Sequence, residues 1–70
     1  MPTTVTSRYG DLQAARNARE ELIDKGFPSE KVFLDKDAAA VKVIASAANE
    51  REVREILDRH QPADVIAAPV

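Results

Sequence analysis

The chain has no cysteine and no tryptophan, and only one tyrosine, two phenylalanines and one histidine among its seventy residues. Each shortage closes off some chemistry. Without cysteine there is no disulfide, no thiolate zinc or copper site and no usual anchor for an iron–sulfur cluster. With so few aromatics, the base-stacking platform of RNA-binding sandwiches has no side chains to build on. The net charge is −2 with both signs interspersed, whereas nucleic-acid binding usually calls for a basic patch. No apolar run approaches the ~20 residues of a membrane span. The first ten residues, MPTTVTSRYG, hold no charged region followed by an apolar run, so no secretory signal is expected. A cytoplasmic protein with no nucleic-acid or membrane partner, no metal and no cofactor is the resulting expectation.

Apolar residues make up 44% of the chain, but twelve of them are alanine. The large core candidates are a few each of Val, Leu and Ile, with Tyr9, Phe27 and Phe33. A single domain over residues 1–70 with so thin a core has little stability to spare. A second copy or another protein partner can bury what the monomer leaves open, so a homodimer is expected.

The clearest element lies in the stretch 11–27, DLQAARNAREELIDKGF. Asp11 is placed to cap a helix. Leu12, Ala15, Ala18 or Arg19, Leu22 and Ile23 recur at helical spacing. Gly26 and Phe27 supply a left-handed stop, and Pro28 bars continuation. Before this helix, residues 3–9 alternate as a strand, with Val5, Ser7 and Tyr9 on one face and Thr4, Thr6 and Arg8 on the other. After it, Val32–Leu34 and Ala39–Ala45 read as a hairpin. A two- or four-residue loop gives the same parity, placing Val32 and Leu34 beside Val41 and Val43 on an apolar face. Asn49 and Glu52 resemble a capping box for a second helix, with Val53, Ile56, Leu57 and His60 as its stripe. Glu21–Lys25, Glu50–Arg54 and Glu55–Arg59 are spaced as favourable pairs. Pro62 stops that helix. Asp64–Ala68 is a closing strand, for which either Val65 and Ala67 or Ile66 and Ala68 could face inward.

The order β-α-β-β-α-β is most economically an α+β, ferredoxin-like sandwich. Its four-stranded antiparallel sheet would run 4-1-3-2, with two helices on one face. Two surfaces then stand out. The turn Ser7, Arg8, Tyr9, Gly10 lies at the first helix N-terminus, where amides favour anions and glycine permits close approach. Its YGDL resembles the loop of regulatory amino-acid-binding (ACT-type) domains, which implies a small-molecule regulatory site as the alternative reading. The plainer reading is a strand-to-helix turn. The uncovered sheet face carries Thr4, Thr6, Phe33, Lys42 and Ile44, with Arg8 beside them and Ile66 depending on strand parity. This mixed surface suits either solvent or an interface between copies, and association could run through this face or through an edge strand. No catalytic residue is assigned. His60 follows the core stripe, the serines Ser7, Ser29 and Ser46 lie in no nucleophile elbow, and Asp35 and Asp37 read as turn residues.

The first-half pattern Ala14-Ala15, Glu21-Leu22 and Gly26-Phe27-Pro28 resembles bacterial general-stress domains of the YflT type. So does VKVIASAANEREVREILDRHQPADV over residues 41–65. The resemblance implies a stress-associated bacterial protein, carries over no catalytic residue, and departs at one point. Gln61-Pro62 follows His60 where the family tends to have glycine. A left-handed non-glycine residue there costs about 1 kcal/mol.

Overall fold

The β-branched N-terminal stretch and the two amphipathic stretches fold as their periods require. The structure is a computed structural model describing residues 2–69. Its order is β1 (Thr3–Arg8), α1 (Leu12–Asp24), a 3₁₀ turn (Ser29–Lys31), β2 (Val32–Asp35), β3 (Ala40–Ala45), α2 (Glu50–Arg59) and β4 (Asp64–Pro69). The strands form one sheet in the order β2-β3-β1-β4, which from the opposite edge reads β4-β1-β3-β2. Every neighbouring pair is antiparallel.

Both helices contribute to a single core on one side of the sheet. Ala15, Ala18 and Leu22 of α1 meet Val53, Ile56 and Leu57 of α2 over Val5, Val32, Val41 and Val43. Leu22, Ile56 and Leu57 are the largest fully buried side chains. Each is worth roughly 1.5–3 kcal/mol in area removed from water. The alanines on α1 let it lie close to the sheet, which is how a chain poor in aromatics still fills its interior.

The first helix is closed at both ends by its own sequence. Asp11 accepts from the Ala14 N–H at 2.8 Å. At the other end Phe27 N–H donates to Leu22 C=O at 3.1 Å, and Gly26 N–H to Ile23 C=O at 3.0 Å. That is a Schellman stop, with Gly26 at φ 102° and Phe27 packed against the core.

The second helix differs from the expected capping box. Asn49 has helical backbone angles and makes no side-chain cap. Ser46 does the capping: its Oγ accepts from Asn49 N–H at 3.2 Å, and its carbonyl takes Asn49 and Glu50 N–H at 3.0 Å each. Three residues, Ala47 to Asn49, thus form a turn ahead of the regular helix. At the far end Gln61 adopts φ 57° and donates its N–H to Asp58 C=O at 3.1 Å. The left-handed stop is made without glycine.

The hairpin keeps the expected parity. Asp35 pairs with Ala40, so Lys36 to Ala39 make a four-residue turn, and Val32 faces Val43 as Leu34 faces Val41. Ala39, expected to open β3, belongs instead to that turn at φ 51°. The Asp35 carboxylate accepts from Asp37 and Ala38 N–H at 3.1 and 3.2 Å, which accounts for the hairpin-tip acid as a turn residue. For β4 one of the two parities is realised. Val65 is half-buried against the core, whereas Ile66 is 53% exposed on the opposite face.

Candidate functional site

The turn singled out for ligand binding does not converge on a shared recess. Ser7 is fully buried, and its Oγ has no hydrogen-bond partner. Tyr9 is a core residue. Its hydroxyl donates to Leu57 C=O at 2.9 Å, and burial raises its pKa above the ordinary phenol value. Arg8 points outward and is engaged by Asp64, its partner across β1 and β4. Its Nε donates to Oδ1 at 3.0 Å, and its terminal nitrogen holds Oδ2. This bidentate pair lowers the Asp64 pKa and raises that of Arg8. Gly10 is exposed with open space around its Cα. The physical reason for the dispersal is the strand period: Ser7 and Tyr9 go to the core side and Arg8 to the other.

The open sheet face is legible residue by residue from the register. One row across the sheet runs Phe33, Lys42, Thr6, Ile66, and the next runs Asp35, Ala40, Arg8, Asp64. A third pairs Ile44 with Thr4 and Thr4 with Ala68. Phe33 is 48% exposed and Lys42 is exposed, while Thr4, Thr6 and Ile44 are half-buried. Phe33 and Ile66 therefore stand at opposite ends of their row, about three strand spacings (~14 Å) apart. Lys42 and Thr6 lie between them, so the two large apolar groups form no contiguous patch. A shallow depression on this face is lined by Phe33, Leu34, Lys42 and the hairpin turn.

His60 has a carboxylate neighbour that spacing along its own helix does not reveal. Its Nε2 lies 2.7 Å from Glu21 Oε1 on α1, and Arg59 reaches Oε2 at 2.8 Å. Glu21 is thus gripped on both oxygens. The hydrogen bond to His60, then the nearby positive charges, lower its pKa. Among the described residues, neither Glu21–Lys25 nor Glu55–Arg59 forms an ion pair, because tertiary partners take Glu21 and Arg59 instead. Glu50–Arg54 does form, at 3.4 Å. The cluster ties the C-terminal ends of the two helices together. No serine hydroxyl bonds to it among the described residues.

The sequence leaves association through the open sheet face or through an edge strand, and β4 is the edge strand that the helices cover least. The helices cover β1, β2 and β3, with α1 over β2 and β3 and α2 over β1 and β3. Neither covers β4 to a comparable extent, and Val65 alone of that strand packs against the core. Ala67 is on the same side of the sheet as Val5, its register partner, and is nonetheless exposed, as are Ile66 and Ala68. This edge strand, DVIAAP, has no charge after Asp64. Its apolar composition was visible in the sequence, but its lack of cover depends on where α2 sits.

Comparison with protein-family models, curated proteins and solved structures gives no match. No helix among the described residues is long and apolar enough to cross a membrane, and no group of three or more metal-ligating side chains occurs among them.

Proposed function

We propose that this chain is a ferredoxin-like sandwich acting as a small, non-enzymatic interaction module that associates with itself. The observation that carries this reading is the incomplete cover of the sheet, which leaves the edge strand β4 with Ala67 exposed on the helix side and Ile66 and Ala68 exposed on the other, while Val65 is half-buried. Soluble chains normally blunt such an edge with charge, proline, a bulge or a covering element. Between Val65 and Ala68 the strand carries neither a charge nor a proline. The resemblance of residues 41–65 and of the first-half pattern to general-stress domains supports a bacterial, cytoplasmic, stress-associated setting for the module. Thr4, Thr6, Phe33, Lys42 and Ile44 are the open-face residues that an association could also recruit. The small-molecule alternative at Ser7–Gly10 is the weaker one, because Tyr9 and Arg8 already have protein partners.

Sedimentation velocity across a hundredfold range of concentration tests the reading. A sedimentation coefficient that rises with concentration toward that of a dimer is the expected result. A constant monomer value at the highest concentration removes self-association as the function.

A further inference from the structure

The two edges of the sheet are built differently. β2 is four residues long, is preceded directly by a 3₁₀ turn and ends in Asp35. β4 is six residues long, and Val65, Ile66, Ala67 and Ala68 carry no charge. An antiparallel β-strand is its own complement: two copies related by a two-fold axis perpendicular to the sheet satisfy each other's free amides and carbonyls and close the assembly. Residues directly opposite in such a pair share a face, so pairing Ile66 with Ile66 keeps the helices of both copies on one side. That register also sets Asp64 against Ala68, and no like charges meet along the strand.

The helix beside this edge supplies a second, independent argument. α2 is the helix nearer β4, since α1 lies over β2 and β3. Arg59 and His60 reach α1 from one flank of α2. Glu50, Arg54 and Asp58, four residues apart in turn, make one stripe on the other flank and line a shallow depression there. Their charges alternate negative, positive, negative. Only Glu50 and Arg54 are paired, at 3.4 Å. Run antiparallel to a copy of itself and shifted by about one turn, this stripe sets Arg54 against the Asp58 of the other copy, and the reverse. The partner that fits both the uncharged strand and the alternating stripe is a second copy of this chain.

We propose that β4 is the dimerisation edge. Two copies pair β4 antiparallel near Ile66 into one eight-stranded sheet, with the Glu50–Arg54–Asp58 stripes facing across the join. This rests on the self-association reading above and locates it on the edge instead of the open face. The stripes add electrostatic complementarity, which selects the partner and its orientation more than it adds affinity.

Two variants in parallel with the wild type test it. Ala67→Lys places a charge on an exposed position of the edge, on the helix side of the sheet. Phe33→Lys places the same charge on the open face. The expected result is a folded Ala67→Lys monomer, with dimerisation weakened at least about tenfold, beside a Phe33→Lys chain that dimerises as the wild type does. Loss of the dimer in Phe33→Lys but not in Ala67→Lys overturns the edge while leaving self-association intact. So does a dimer that survives both changes. A wild-type monomer removes both readings together. Should both variants be monomeric, amide exchange of wild-type Val65–Ala68 decides: protection that grows with concentration supports the edge, and unchanged exchange overturns it.

Discussion

The two strand–helix–strand units of this chain share a plan and differ in finish. In the first, α1 is capped by Asp11, stopped by Gly26 in a left-handed conformation, and leads to a strand whose Val32 is buried. In the second, α2 relies on Ser46 one turn upstream, stops on a left-handed Gln61, and leads to an edge strand whose Val65 is only half-buried. The cap and the stop of the helix in the first unit both agree with the fold. The second carries a strained residue at the helix stop and an open edge beyond it. A small domain whose cover runs out at one strand has somewhere to put a partner.

The largest contrast is in packing. Leu22 is fully buried at the centre of the core, whereas Val65 is only half-buried at its margin. Leu22→Ala is expected to cost about 2–5 kcal/mol, enough to unfold much of a domain this size at ordinary temperature. Val65→Ala, in the edge strand, is expected to cost under about 1 kcal/mol measured on the monomer. Urea denaturation at low protein concentration compares them. Equal losses would mean that β4 is as tightly held as α1, and the contrast between the units would fail.

How much of this was readable in advance follows the same division. The six main elements, the buried parity of β1, β2 and β3 and both stops of α1 follow from periods of two and 3.6 and from local turn chemistry. Asn49 is not the cap its spacing from Glu52 suggests, because Ser46 takes the leading amide one turn earlier and Asn49 itself has helical angles. Glu21 was assigned to Lys25 because only neighbours on one helix can be read from spacing, while its real partners, Arg59 and His60, come from the other helix. The Ser7–Gly10 turn looked like a site because sequence order groups these residues, whereas the strand sends Ser7 and Tyr9 inward and Arg8 outward. What decides the exposure of Ala67 is the lateral position of α2, a tertiary quantity with no local signal.

The two helix stops offer the next contrast in size, because they are opposite experiments on one conformation. Gly26 sits at φ 102° with nothing near the position a Cβ would take, so Gly26→Ala meets backbone strain alone. A loss of about 1–2 kcal/mol is expected. Gln61 already bears that strain at φ 57°. Gln61→Gly should return up to about 1 kcal/mol, less whatever the more flexible unfolded chain takes back. Thermal melts of the two single variants and the wild type should therefore fall on opposite sides of it. A destabilised Gln61→Gly chain would show that the Gln61 side chain has a contact that outweighs the strain, and the second unit would be better finished than its backbone suggests.

The smallest expected effect joins the two units directly. Glu21 on α1 is held by His60 and Arg59 at the end of α2, and its pKa in the folded chain lies below the ordinary carboxylate value. A carboxyl with a lowered folded pKa binds protons more readily when unfolded. Its stabilisation is thus complete above the ordinary value and is lost as pH falls through the folded one. Glu21→Gln keeps the shape and removes the charge. It should lower the wild-type midpoint in urea at neutral pH by a modest amount, since the cluster is partly open to solvent. Once the pH has fallen through the lowered folded pKa the wild-type carboxyl is itself neutral, and the two curves should converge. Parallel curves at all pH values would mean that the cluster acts through packing alone. Convergence would show that the two units, unequal in their finish, are also tied by a charge that only tertiary structure brings together.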